Sequence, residues 1–255
     1  MVNFSLNKEY MIHSGKILAT AMELAKSLLI SGNTTKQIDS AIHSLILDYK
    51  AIPAFIGIGG YPCASCIAVN SQVVHAVPSD IPLKNGDIVT IDIGVNYKKH
   101  FTDAARTYII GQNTNTDNIE LVNTAYEALN AGIKSAIKGN RISDISYEIQ
   151  CVVEDAGFRS PLEFGGHGIG KKPHLEPFIP NSGSKGRGQI LKNGLYLAIE
   201  PIVMAGSIEV FININDGFTC YSMDGCLSSH VEDTILISDF SPIILTRKTI
   251  SGSYV

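Results

Sequence analysis

The chain has no tryptophan, only five cysteines and few charges: 17% of its 255 residues are Asp, Glu, Lys or Arg, against 45% hydrophobic. So low a charged fraction excludes intrinsic disorder, which needs high net charge and little apolar content. There is no excess of positive charge either. The 20 Lys+Arg stand against 24 Asp+Glu, a formal charge of −4, so nothing draws the protein toward nucleic acid or an anionic membrane surface. The cysteines (Cys63, Cys66, Cys151, Cys220 and Cys226) are an odd, sparse set, which excludes a disulfide scaffold. Cys63-x-x-Cys66 has redox or half-zinc-site spacing, but no second pair follows, and the five read as reduced thiols of a cytoplasmic protein. Long apolar runs are missing as well. The segment Ile17–Ile30 carries Glu23 and Lys26 and is too short to span a bilayer. It lacks the basic flank and cleavage site of a signal peptide. At this length about 70–75% of the unfolded surface can be buried, enough for one large domain or two tightly joined halves.

What is present is a repeated pattern. Leu18, Ala21, Met22, Ala25, Leu28 and Leu29 have helical spacing and Gly32 supplies a stop. Thr34 with Gln37 resembles a capping box opening a second helix through Ile38, Ile42, Leu45 and Ile46. Residues 86–95, GDIVTIDIGV, read as a strand after an Asn-Gly turn. Val122, Ala125, Leu129, Ile133 and Ala136 predict a third helix ending near Gly139. Ile145, Ile149, Val152, Val153 and Ala156 predict a fourth, stopped by Gly157. SGNTTKQIDSAIHSLILDY from Ser31 aligns without gaps on KGNRISDISYEIQCVVEDA from Lys138, an offset of 107. LKNGDIVTID ending at Asp92 aligns on LKNGLYLAIE ending at Glu200, an offset of 108. An internal duplication would bring Asp92 and Glu200 together about a pseudo-twofold axis.

Asp92 lies between two isoleucines, and a carboxylate in an apolar strand is costly unless paired or bound to metal. Glu200 repeats the problem, Glu232 precedes the apolar run TILI, and Asp103 precedes RTYII. Singly, each would be read as a salt-bridged or edge carboxylate; jointly they point to a cluster that needs cations. His167 stands in GGHGIG, where glycines clear space around an imidazole. Imidazole beside carboxylate suits Mn, Fe, Co, Ni or Zn better than Mg or Ca. His75 and His174 share the form His-x-x-Pro, while His13, His43, His100 and His230 read as incidental. GGHGIGKK imitates a phosphate loop, but Lys172 replaces its Ser or Thr and Pro173 follows where a helix should begin, excluding nucleotide binding.

The set VVHAVP, TIDIGV, FTDAAR, GHGIG, PHLEP, IEPIV and HVEDT, in this order and spacing, closely resembles the type I methionine aminopeptidases, from the first helix to about Leu236. The resemblance implies an α/β pita-bread fold: two pseudo-twofold related halves around a curved, mostly antiparallel sheet flanked by helices. It implies one catalytic domain over 1–255, duplicated at roughly 8–110 and 115–240, with no N-terminal extension. Carried over by motif, Asp92, Asp103, His167, Glu200 and Glu232 match the ligands of two divalent metal ions (Co, Mn, Fe, Zn or Ni). His75 and His174 match histidines that contact substrate, and Glu200 would also act as general base and acid. The first-residue pocket would draw on Phe55, Tyr61, Cys66 and Phe218. Phe55 stands where members often carry Cys, Pro173 replaces an aromatic residue and Phe218 replaces a tryptophan.

The implied activity is removal of the initiator methionine from nascent polypeptides near the ribosome, with a small second residue preferred. The protein would be a cytoplasmic monomer without nucleic-acid or membrane partners. The nearest rival is a proline-specific aminopeptidase or prolidase, whose usual N-terminal domain has no room before position 92. A non-catalytic binding protein on the same fold is the rival from another class. The loop NSGSKGRG from Asn181 reads as mobile, and the polar tail TRKTISGSYV after Leu245 as frayed.

Overall fold

The computed structural model describes residues 6–112 and 115–248. Its first half contains helices α1 (Lys8–Ser27) and α2 (Thr35–Asp48), then strands β1 (Ile52–Pro53), β2 (Ser65–Val69), β3 (Gln72–Val74), β4 (Ile88–Tyr97) and β5 (His100–Ile109). The second half opens with α3 (Thr116–Ser135) and α4 (Ile142–Asp155), followed by β6 (Gly165–Gly168), β7 (Leu175–Pro180), β8 (Tyr196–Ile199) and β9 (Ile202–Met204). Five short strands complete it: β10 (Val210–Ile212), β11 (Cys220–Ser222), β12 (Ser228–His230), β13 (Asp233–Leu236) and β14 (Ile243–Ile244).

Local chemistry sets the helix ends. The capping box is present: Gln37 N donates to Thr34 Oγ1 at 3.2 Å and Thr34 N to Gln37 Oε1 at 2.9 Å. In the second hairpin the acceptor is an aspartate, Asp144 Oδ2 taking Arg141 N at 2.7 Å. α1 stops at Ser27, short of Gly32, because Asn33 Nδ2 donates to Leu28 O at 2.8 Å; Asn140 Nδ2 does the same for Ser135 O at 2.9 Å. The turns match too. Gly32 N donates to Leu83 O and Leu83 N to Asn33 O, while Gly139 N donates to Leu191 O and Leu191 N to Asn140 O. α1 and α3 both have 20 residues, α2 and α4 both 14. The same interactions thus recur at the sequence offset.

Every strand pair among the described residues is antiparallel. The architecture is therefore the expected α/β one. β4 and β5 form a ten-residue hairpin, with β2 and β1 also against β4. The second large sheet runs β14-β13-β8-β6-β7. Each helical hairpin covers the outer face of its own half. Ile17, Leu18, Ile38, Ile42 and Ile46 pack on Ile91, Ile93 and Ala104, and Leu129, Ile145 and Ile149 pack on Leu197, Ile199 and Ile235. Among the described residues no helix is long and apolar enough to cross a membrane.

Two expectations about loops change. The segment from Asn181 is tied to α4, with Gly183 N on Gln150 Oε1, Gly186 N on Asp144 Oδ1 and Arg187 N on Ser143 Oγ. The start of the tail is anchored by buried Asp233, which accepts from Thr246 Oγ1 at 2.8 Å and Arg247 Nε at 2.7 Å. The remainder of that tail, 249–255, lies outside the described residues.

Candidate metal centre and substrate cavity

Period-two alternation places the first carboxylates. Ile91, Ile93 and Ala104 face the helices, so Asp92 on β4 and Asp103 on β5 turn to the opposite, inner face. A seam then joins β5 to the second half in one antiparallel register. Ala105 and Glu232 exchange backbone bonds of 2.9 and 3.3 Å. On either side of that pair a threonine hydroxyl bridges where backbone cannot reach. Thr234 Oγ1 accepts from Asp103 N at 2.8 Å and donates to Asp103 O at 2.7 Å. Thr107 Oγ1 accepts from His230 N at 3.1 Å and donates to His230 O at 2.7 Å. Arg106 closes the seam, its Nη1 on the carbonyls of Ala105 and Glu232 and its Nη2 on Asp233 Oδ1 at 2.6 Å.

His167 lies on β6 between β7 and β8. The glycines beside it serve close strand packing rather than clearance around the imidazole. A Cβ at Gly166 would strike Ala198 O, and one at Gly168 would strike Glu176 O. Glu200 follows β8, its carbonyl held by Asn181 Nδ2 at 3.1 Å.

The side chains converge. His167 Nε2 lies 3.4 Å from Glu200 Oε1, and His230 Nε2 3.5 Å from Glu200 Oε2. Asp92, Asp103 and Glu232 bring donor atoms within 4.8 Å of one another, as do His167, Glu200 and Glu232, and also Asp103, His167 and His174. The His174 ring stands edge-on to His167 with centroids 4.6 Å apart. All eleven site residues expected from the sequence line one cavity of about 430 Å³.

His230 corrects the sequence reading. It is 3% exposed, lines the same cavity and faces Glu200, so it is not incidental. Residues i and i+2 of an extended segment share a face, and His230 stands two before Glu232; that spacing was the available signal. His100 is also buried, but its Nε2 accepts Asn7 N at the start of α1, a structural role. Ile58, Val74, Glu163, Phe164 and Phe178 line the cavity as well and were not singled out by sequence.

The electrostatics suit cations. Burial, then the neighbouring carboxylates, pushes Asp103 and Glu232 well above the usual carboxylate range. Burial also raises Asp92 and Glu200 to about 7. The same low-dielectric surroundings lower His75, His167, His174 and His230, favouring neutral imidazoles with a free lone pair. Asp92 Oδ1, Asp103 Oδ1, Glu232 Oε1 and His230 Nε2 are buried without a hydrogen-bond partner. Buried polar atoms seldom remain so, and a mixed oxygen and imidazole donor set fits first-row divalent ions. The residues fit two such ions.

Beside this cluster the cavity is apolar. Phe55, Tyr61 and Cys66 are buried together, with Phe218 packed on them and edge-on to Tyr61 at 5.3 Å between centroids. The Tyr61 hydroxyl reaches the carbonyls of Ser65 and Ala76 at 3.0 and 2.9 Å, which fixes the side chain where it lines the cavity. Gly94 makes room for Phe55, since a Cβ there would lie 2.6 Å from the ring.

Residues 9–239 match metallopeptidase family M24. The methionine aminopeptidase of Clostridium perfringens is 42% identical over 238 residues, covering 93% of this chain and 95% of that protein. The crystal structure of methionine aminopeptidase from Thermotoga maritima superposes with a TM-score of 0.93 at 36% identity, covering 97% of this chain and 100% of that one. The prolidase of Pyrococcus furiosus superposes at 0.75 with 23% identity, over 94% of this chain and 64% of its own, a likeness of fold alone.

Proposed function

The chain belongs to metallopeptidase family M24, among its methionine aminopeptidases, and from that premise we propose that it removes the N-terminal methionine of polypeptides. One observation carries this reading: an unpartnered carboxylate and imidazole cluster opens directly onto an apolar pocket within the same cavity. In the proposed assignment Asp92, Asp103, His167, Glu200 and Glu232 hold two divalent ions. When bound, these ions supply Lewis acidity that polarises the first peptide carbonyl and makes water a nucleophile near neutral pH.

The chain's own residues do the rest. Phe55, Tyr61, Cys66 and Phe218 take the methionine side chain, whose polarizable thioether packs well on aromatic rings and sulfur. Glu200 takes the water proton at a carboxylate oxygen and returns it to the leaving amine. His174, as a neutral imidazole, donates its N–H to the developing oxyanion, and His75 orients the amide being cleaved. His75 holds φ 56°, a left-handed backbone that aims its ring into the cavity and is worth its strain only for a positional role.

Finer points belong to the same proposal: nascent chains near the ribosome as substrates, a small second residue, a cytoplasmic monomer and a single catalytic domain. The hydrogen bonds repeated at Leu83 and Leu191 support two related halves within that domain. The test is turnover of Met-Ala-Ser against Ala-Pro and Xaa-Pro peptides with Mn, Co or Fe added. Release of methionine from Met-Ala-Ser alone is expected. Cleavage only of Xaa-Pro would move the chain to the prolidase activity, and no cleavage with any metal to a binding role.

A further inference from the structure

A second cavity, of about 540 Å³, shares no lining residue with the first. It is lined by the end of α4 (Gln150, Val153, Glu154), the turn through Phe158, Arg159, Ser160 and Leu162, the pair Asn181 and Ser182, and Ile208. Its size falls within the range of small-molecule sites, about 300–1,000 Å³.

Asn181 is 3% exposed. Its Nδ2 is committed to Glu200 O at 3.1 Å, while its Oδ1 is buried without a partner. Asn181 lines the second cavity, so its open acceptor belongs to that cavity's wall. Ser160 lines the cavity too, and its Oγ is likewise buried and unpartnered. Two such atoms in one cavity point to a ligand that donates hydrogen bonds. Arg159 adds a guanidinium with no ion pair among the described residues, and Glu154 adds a carboxylate that accepts a hydrogen bond from Gln150 Nε2. Val153, Phe158, Leu162 and Ile208 complete the lining with an apolar wall.

A cation, a carboxylate, a buried amide acceptor and an apolar wall together match a zwitterion with an apolar side chain. We propose that this cavity binds a free apolar α-amino acid of the kind the enzyme releases, with its carboxylate on Arg159, its ammonium between Glu154 and Asn181 Oδ1, and its side chain against Phe158 and Leu162. The choice of methionine as probe rests on the proposed function; the existence of the site does not. Two contacts tie the cavity to the catalytic segment: Asn181 on the Glu200 carbonyl, and the Arg159 backbone bridged to Met204 of β9. Occupancy therefore bears on where Glu200 stands, and the released product would slow its own formation from outside the substrate cavity.

The experiment is hydrogen exchange on the full chain in EDTA, with L-methionine, N-acetyl-L-methionine or L-methionine amide as probes. L-Methionine should protect residues 150–162 and 181–183, whereas the acetylated and amidated forms, each lacking one charge, should not. Arg159→Met should raise the methionine concentration for half-protection by about tenfold or more, the scale of one charge-assisted hydrogen bond. In the metal-loaded enzyme, L-methionine should slow turnover even at saturating peptide, and Arg159→Met should remove that effect while keeping turnover without added methionine. Protection confined to the segments of the first cavity would overturn the proposal, as would equal protection by the acetylated form. Protection without any peptide turnover would leave the site standing and remove the aminopeptidase reading instead.

Discussion

Replacing Thr234 with valine keeps the side-chain volume and deletes one hydroxyl, so it isolates what the seam contributes. That hydroxyl partners both Asp103 N and Asp103 O. Ala105, two residues on, turns its N–H and C=O to Glu232, so Asp103 turns its own the same way, away from β4. Thr234 Oγ1 is thus the partner that meets both groups on that side. Thr234 is fully buried and Asp103 is 3% exposed, so water cannot replace the lost bonds. Leaving a buried donor or acceptor unpaired costs about 1–3 kcal/mol each. Thr234→Val should therefore cost roughly 2–6 kcal/mol, a large part of a total stability of about 5–15 kcal/mol. At about 2–4 °C per kcal/mol for a chain of this size, Tm should fall by roughly 4–24 °C. Thr234→Ser, which keeps the hydroxyl, should recover most of the loss. Urea and thermal unfolding of the metal-free protein would measure all three forms. A valine variant within about 0.5 kcal/mol of the parent would refute the argument, since that is the range of substitutions that disturb nothing.

Asp103→Ala should abolish metal binding and activity together, read by calorimetric titration and peptide turnover; full activity without bound metal would exclude the ligand assignment. His75→Ala should lower turnover while leaving metal content intact, because the proposed role of the ring is to contact substrate and not the ions. Metal affinity should rise with pH between about 6 and 8. Asp92 and Glu200 hold protons up to about 7 in the folded protein, and a metal must displace them. Titration with Mn at both ends of that range checks the sign, and equal affinities would contradict it. Saturating Mn should raise Tm, by about 3 kcal/mol of stabilisation at a hundredfold excess over Kd.

The site was legible where chemistry is local. An aspartate between isoleucines, a repeated Leu-Lys-Asn-Gly turn and a Thr-x-x-Gln cap each announce themselves within a few residues. For His230 the only local signal was its two-residue spacing from Glu232. Its place depends on Thr107, 123 residues earlier in the chain, and no local pattern encodes a contact that distant. The glycines around His167 were visible, but their cause lies in the backbones of β7 and β8, which approach only in the folded sheet. Strands β9 to β12 have three residues each, too few for alternation to show. The polar segment after Leu245 and the glycine-rich loop from Asn181 looked loose because composition does not reveal the partners that hold them, Asp233 for one and α4 for the other.

The most direct test of the account is mass spectrometry of an intact polypeptide beginning Met-Ala, incubated with the metal-loaded chain and with Asp103→Ala as control. The account predicts loss of one methionine residue and no more, and no change with the control. An unchanged mass with Mn, Co and Fe alike, or equal trimming by the control, would contradict it.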